Sequence, residues 1–419
     1  MKIITDFQIH SRYARATSKD ITLQNLEKWA RVKGINLLGT GDFQHPKWFD
    51  EINENLEEDE NGILWSKTKF PFFWQTEISL MYTQDGKGRR IHHLILSPNK
   101  DVARQIIEAL SKKGRLDYDG RPIFGFSSIE LVEMMMAISK DIEIIPAHVW
   151  TPYFGLFGSI TGFDSVEECF KEKSKYIHAI ETGMSSDPAM NWIISSLDKY
   201  TLVSNSDAHS FWPWRLGREA NVFDIDLNYK SIIKAIRTKK GFIETIETDP
   251  NYGKYHFDGH RNCNFSCGPE ETKKLNGICP VCKRKLTIGV LNRVRSLADR
   301  EEGHIPKDNV PFRKLIPLSE LIATSLGTNQ IYSNKVWTIY NKLIPAFENE
   351  INILIYSNIE DLKKIVDEKL LRLIAKNREG NLTIKPGFDG EYGKLVLDSD
   401  KQEEKQQKPS KKQRILTDF

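Results

Sequence analysis

Seven short apolar runs, each carrying a histidine or an acidic residue, alternate with helix-like segments across residues 1–245 of this 419-residue chain. The runs are KIITDFQIH (2–10), INLLGTGD (35–42), PFFWQTEISLM (71–81), RIHHLILS (90–97), IEIIPAHV (142–149), IHAIETG (177–183) and TLVSNSDAH (201–209). Several intervening helices have legible ends. Thr22 is placed to cap a helix that stops at Gly34, and Asp101 opens one that stops at Gly114. Ser127 with Glu130, and Ser165 with Glu168, have the spacing of capping boxes. Such alternation implies an α/β layer architecture, and seven units imply a closed or nearly closed barrel.

In a parallel barrel the carboxyl ends of the strands open on one face, where loops assemble a site. The ionisable residues collect there. His10 closes the first run, Asp42 the second with His45 three residues on, and Glu77 lies near the end of the third. His92 and His93 sit on the fourth, His148 closes the fifth, Glu181 lies near the end of the sixth, and Asp207 and His209 finish the seventh. One histidine at a strand end is ordinarily structural, but seven strands each delivering His, Asp or Glu form a ligand set. Imidazole mixed with carboxylate suits zinc, manganese or iron, and this many donors exceed the needs of one ion. Ions spaced roughly 3.5–4 Å apart activate a water and stabilise both oxygens of a phosphate displacement. The predicted chemistry is phosphoester hydrolysis.

Net charge is only +3, so any polyanion partner must be met by a local surface. No stretch approaches the ~20 apolar residues of a membrane span, and no basic-then-apolar leader opens the chain, so a soluble, cytoplasmic protein is expected. Cys263, Cys267, Cys279 and Cys282 form two tight pairs separated by eleven residues, the spacing of a structural four-cysteine zinc with no open position. Cys169 is expected to be buried on its helix. Lys283, Arg284, Lys285, Arg293, Arg295 and Arg300 follow, either a phosphate-contact surface or a solvated helix face. Trp150, Tyr153, Phe154 and Phe157 near His148, and Trp212 and Trp214 after His209, either stack on an exposed base or belong to the core. The domain boundaries expected are 1–250 for the barrel, 251–290 for the cysteine module, 291–397 for a mainly helical segment that contacts DNA, and 398–419 for a disordered tail.

TDFQIHS, GTGDFQHP, TEIS, IHHLIL, PAHV and SNSDAH, in this order, resemble the motifs of the polymerase-and-histidinol-phosphatase (PHP) superfamily. The resemblance implies a distorted seven-stranded α/β barrel with a trinuclear metal centre. It carries over His10, Asp42, His45, Glu77, His93, His148, Asp207 and His209 as ligands, with Asp207, His209 and Glu77 nearest the chemistry. His93 is chosen over His92 because the superfamily's ligand directly precedes the apolar run, which points His92 to the opposite strand face. Gln8 stands where the superfamily has the first His of an H-x-H pair, and a neutral amide is a poorer ligand, so one ion is expected to be weakly held, exchangeable or absent. GDFQH is also looser than the usual Asp-His spacing at His45. Asp6 is expected to orient its neighbours as an acceptor.

A PHP barrel, a four-cysteine module, and a helical segment with IPLSELIATSLG and KPGFDGEYGKL together resemble the endonuclease Q family of DNA-repair enzymes. That resemblance implies cleavage of damaged DNA 5′ to a deaminated base (uracil, hypoxanthine, xanthine) or an abasic site, leaving 3′-hydroxyl and 5′-phosphate. The cofactors implied are two or three divalent ions (zinc, manganese or magnesium) in the barrel and one structural zinc. In QRILTDF, Gln413, Leu416 and Phe419 have the spacing of a sliding-clamp motif. Two rival functions are a PHP-type small-molecule phosphatase, which needs only the barrel, and a clamp-bound DNA-binding adaptor inactivated through Gln8.

Overall fold

Each of the seven runs forms a strand, and their pairing closes a ring. In the computed structural model, which describes residues 1–396, β1 (Lys2–Asp6) is parallel to β2 (Leu37–Gly39), and β2 to β3 (Pro71–Phe73). After Trp74 the chain continues as β4 (Gln75–Gln84) and folds back as the antiparallel β5 (Lys87–Leu96). β6 (Glu143–Pro146) is antiparallel to β5. The Val149 N–H donates to the Glu181 carbonyl at 3.1 Å, joining the end of β6 to β7 (Ala179–Glu181), which is parallel to β8 (Thr201–Val203). A parallel bridge between Ile9 and Ala208 closes the ring, with the His10 N–H donating to the Ala208 carbonyl at 3.0 Å.

The result is a distorted seven-stranded barrel. Its distortions are the reversed β5 and two strands outside the ring: β9 (Ala220–Asp224), antiparallel to β1, and β10 (Phe242–Glu247), antiparallel to β9. Ile3, Phe7, Leu37, Phe73, Leu94, Leu96, Ile145, Ala179 and Val203 fill the interior below the site. Helix Tyr229–Thr238 packs Ile232, Ile233 and Ile236 against this plug, and its Tyr229 hydroxyl donates to the Leu96 carbonyl at 2.9 Å. Each such side chain contributes roughly 1.5–3 kcal/mol on burial.

The helix ends follow local chemistry. Thr22 accepts from the Asn25 N–H at the start of Leu23–Lys33, and Gly34, at φ 100°, supplies the left-handed exit. Both halves of the Ser127–Glu130 capping box are formed. The helix expected to open at Asp101 instead begins at Lys100 and is capped by Asn99, whose Oδ1 accepts from the Val102 N–H at 2.9 Å.

Beyond the barrel, β11 (Phe312–Lys314) pairs in parallel with β10, so the helical segment starts as an extension of the barrel's own sheet. Helices Leu318–Ser325, Asn334–Phe347 and Glu368–Arg378 follow. An ion pair and an aromatic cluster help to fasten them to the barrel. Lys33 and Glu350 form a buried ion pair at 2.7 Å, and Trp29 of the first helix packs on Trp212 and Trp337 with centroids 5.0 and 5.7 Å apart. No helix among the described residues is long and apolar enough to cross a membrane.

Candidate metal centre and substrate cavity

Asp42, His148 and Asp207, each just past the end of a barrel strand, hold φ of 34°, 30° and 47°. A left-handed backbone costs a residue with a Cβ about 1–2 kcal/mol, and such strain collects where function over-determines geometry. Two ligand triads lie beside these turns: His10 with Asp207 and His209, and Glu77 with His92 and His148. They touch. His10 Nε2 is 2.9 Å from Glu77 Oε2 and 3.0 Å from Asp207 Oδ1, while Glu77 Oε1 is 2.6 Å from His92 Nδ1 and 3.4 Å from His148 Nε2.

Hydrogen bonds behind the rings decide which nitrogens face inward. His10 Nδ1 donates to Asp42 Oδ1 at 3.0 Å, and His209 Nδ1 donates to the Asp207 carbonyl at 2.9 Å. Thr151 Oγ1 donates to carbonyl oxygens of His148 and Tyr153, and so accepts from His148 Nδ1 at 3.1 Å. All three imidazoles therefore present Nε2 as the metal-binding lone pair, in the arrangement by which outer partners orient metal ligands. Bare nitrogens facing buried carboxylates repel one another unless a cation lies between them, so the donor set fits divalent ions. The charges agree. Burial pushes the Glu77 carboxyl up, but Arg121 and His92 outweigh it and hold the group well below the usual range. Burial likewise raises Asp207, and His209 and His10 outweigh it, leaving its pKa lowered.

The structure revises several expected ligands. His92, not His93, joins the triad. On β5 it shares a face with Leu94 and Leu96, which lie in the barrel interior, whereas His93 shares the outward face with Ile91 and Ile95. There His93 bonds Ser128 Oγ at 2.8 Å beside Phe170, and burial lowers its pKa to about 3. Asp42 is engaged on both oxygens, by His10 and by the Ser11 N–H and hydroxyl at 2.6 and 2.7 Å, so it orients His10 and stands outside the triads. His45 also stands apart, its ring stacked on Tyr13 at 4.3 Å. Gln8 belongs to neither triad, yet it is fully buried and neither side-chain amide atom has a hydrogen-bond partner. Asp6 accepts from the N–H groups of Gln8, Ser206 and Gly217 and from the Ser206 hydroxyl, tying β1 to the Asp207 loop. Arg121 carried no signal in the sequence, whereas Glu181 stands where the sixth run placed it. Glu181 accepts from the His148 N–H at 2.5 Å and from Asn205 Nδ2 at 2.7 Å, and Arg121 Nη1 lies 3.4 Å from Glu77 Oε2.

Both triads open into a cavity of about 520 Å³. Tyr153 and Phe154 line it, with Phe154 at 4.5 Å from the His92 ring, and Tyr153 is 44% exposed. The other expected stacking residues lie elsewhere. Trp150 is buried, donating to Asn191 Oδ1 at 2.8 Å and packing on Phe157. Trp212 and Trp214 stack on each other at 5.2 Å and against Trp337, as part of the joint between barrel and helices. Arg293, Arg295 and Arg300 are paired with Asp164, Glu302 and Asp198.

Residues 317–381 match the family model "MJ0043 C-terminal domain". The uncharacterised protein MJ0043 of Methanocaldococcus jannaschii is 37% identical over 348 residues, covering 80% of this chain, and the chain spans 42% of that protein's length. The lesion-specific endonuclease PfuEndoQ of Pyrococcus furiosus is similar in structure, with a TM-score of 0.85, 31% identity, and coverage of 95% of this chain and 96% of that one. An endonuclease Q complexed with a 27-mer duplex bearing an abasic lesion at its active site matches with a TM-score of 0.86, 32% identity, and 96% and 98% coverage. The chain belongs to the endonuclease Q family.

In this member of the endonuclease Q family the cysteine module is a small antiparallel pair, Asp258–His260 with Phe265–Cys267, followed by helix Pro269–Lys274. Three of the four expected thiols, Cys263, Cys279 and Cys282, converge with His260, whose Nδ1 lies 3.2 Å from Cys263 Sγ and 3.3 Å from Cys282 Sγ. Cys267 is the departure. It pairs with Asp258, two positions along the hairpin from His260, and its Sγ lies 3.2 Å from Thr272 Oγ1. Burial pushes the Cys279 thiol up, but the N–H groups of Cys282 and Val281 outweigh it and bring it to about 7, while burial and the neighbouring thiols Cys282 and Cys279 push Cys263 up to about 11. The donor set fits one closed, structural zinc.

Proposed function

We propose that this chain is a metal-dependent endodeoxyribonuclease that cuts DNA 5′ to a deaminated base (uracil, hypoxanthine, xanthine) or an abasic site, leaving a 3′-hydroxyl and a 5′-phosphate. The observation that carries this function is the single cavity joining both triads to aromatic and cationic walls. The triads suit phosphate hydrolysis, and the walls suit a nucleotide drawn out of the duplex. The similar endonuclease Q that holds an abasic duplex at its active site supports the same use here. Gln413, Leu416 and Phe419 support a sliding clamp as a further partner, and they lie outside the described residues.

Two or three divalent ions, when bound, supply charge for the phosphate oxygens and lower the pKa of a coordinated water. His10, Asp207 and His209 would hold one ion, and Glu77, His92 and His148 a second. Asp42 and Thr151 keep the rings in the binding tautomer. Arg121 adds a fixed positive charge to the cavity wall beside Glu77, where charge develops on the phosphate. Glu181, whose carboxyl burial pushes up to about 8, lines the same cavity and holds the His148 backbone through its N–H.

End-labelled duplexes, each with one modified base, incubated with Mg, Mn or Zn would report lesion range and cut position together. A nick 5′ to uracil, hypoxanthine or an abasic site, with unmodified duplex intact, is expected. Turnover of a small phosphomonoester without action on DNA would establish the phosphatase instead. One zinc per chain and no nicking under any ion would establish the adaptor.

A further inference from the structure

One part of the cavity lining is built from three separate stretches of chain: Arg215 and Arg218 after the Asp207 loop, Lys254 and Tyr255 before the zinc module, and Tyr392 from the last hairpin. The Lys254 ammonium lies 4.6 Å and the Arg215 guanidinium 5.4 Å from the centroid of the Tyr392 ring. Arg218 uses Nη2 to donate to the Ser206 carbonyl at 3.0 Å, while its Nε and Nη1 are buried without a hydrogen-bond partner. None of the three cations forms an ion pair with a carboxylate among the described residues, although most arginines around the barrel do. Glu320 accepts from the Tyr252 hydroxyl, while Glu219 accepts from the Thr248 N–H and lies in the field of Arg218. Burial pushes the Tyr392 hydroxyl up, yet Arg218, Arg215 and Lys254 outweigh it and lower its pKa, a sign of strongly positive potential at this wall. The wall is also held in place. Gly390 N–H donates to the Lys254 carbonyl at 2.9 Å, and Gly393 N–H to the Tyr252 carbonyl at 3.1 Å, locking the Tyr392 hairpin onto the Lys254 segment.

Cations that line a cavity without a carboxylate partner make a wall that suits an anion. We infer that Arg215, Arg218 and Lys254, framed by Tyr392, bind a backbone phosphate of the cut strand other than the scissile one, which rests on the nuclease function proposed above. With the scissile phosphate at the triads and its neighbour at this wall, the strand is gripped on both sides of the displaced nucleotide. That fixes which linkage meets the triads.

Single-turnover cutting of an abasic duplex, followed against enzyme concentration and salt, separates the half-saturating concentration from the maximal rate. Lys254→Met and Arg215→Gln are expected to raise the half-saturating concentration about tenfold and to lower its log–log salt slope by about one, with the maximal rate within about twofold. Lys254→Arg restores the wild-type slope. A scan of single methylphosphonate linkages in wild type is expected to find one non-scissile position whose neutralisation weakens binding, and that position has no further effect in Lys254→Met. Wild-type slopes in both variants, or an unchanged methylphosphonate profile, overturn the inference while cutting persists. So does loss of the uracil duplex with the abasic duplex bound normally, since the wall would then read the base. A chain that cuts no damaged duplex would refute the nuclease function itself.

Discussion

The adjacent histidines of β5 provide the sharpest test of the proposed metal centre, because one strand position separates a candidate ligand from a packing residue. His93→Phe keeps a ring beside Phe170 and removes one neutral hydrogen bond, to Ser128 Oγ, which still receives the Tyr82 hydroxyl at 3.0 Å. The cost should be about 1–2 kcal/mol of stability, with barrel metal and cutting retained. His92→Phe removes a nitrogen 2.6 Å from Glu77 and 3.2 Å from His148 Nε2. Loss of a partner behind a ligand typically costs about 10–100-fold in metal affinity or activity, so loss of the ligand itself should cost at least about 100-fold. Metal counting by mass spectrometry on both purified variants, with cutting of an abasic duplex alongside, reads the outcome. If His93→Phe lost barrel metal while His92→Phe kept it, the assignment of faces on β5 would be wrong.

Removing Lys33 leaves Glu350 buried and uncompensated, so Lys33→Met should lose about 3–5 kcal/mol in urea unfolding, with part recovered on adding Glu350→Gln; an independent, unchanged barrel transition would show the two parts are not one cooperative unit. In the zinc module, Cys282→Ser should release the metal and Cys267→Ser should retain it, measured with a chromogenic zinc indicator; equal loss from both would restore the four-cysteine set. Burial pushes the Asp6 carboxyl up to about 6, above the 3.8 of an unperturbed Asp. The folded state then binds the extra proton, so stability from this group is fully present below pH 3.8 and is lost as pH rises through 6. Asp6→Asn should remove up to about 3 kcal/mol of that loss between pH 4 and 7, seen in paired denaturation curves; parallel curves would count against it.

Strand order and the barrel were legible because period-two apolar runs and helix caps are local signals. The choice between His92 and His93 was not. In HHLIL both parities are apolar, since Leu94 and Leu96 face the interior while Ile95 packs outside, and only the closed ring says which face is which. The reversal of β5 hid the same fact, because a ligand on an antiparallel strand need not sit at its carboxyl end. His260 escaped attention because two cysteine pairs already filled a tetrahedral count, and hairpin register then swapped one donor for another. Trp212 and Trp214 followed a ligand closely enough to look functional, but their partner, Trp337, is more than a hundred residues away. Arg121 sits in no run or motif, and its neighbour Glu77 is met only after the barrel closes, whereas Glu181 was legible as the acid at the end of its run.

The cavity wall bears on when the site becomes complete. Every triad residue is synthesised by residue 209, but Lys254 and Tyr392 arrive much later, and Tyr392 is docked by backbone bonds to the segment around Lys254. The cavity is therefore complete only when the C-terminal hairpin has docked, because one of its walls is drawn from residues far apart in the chain.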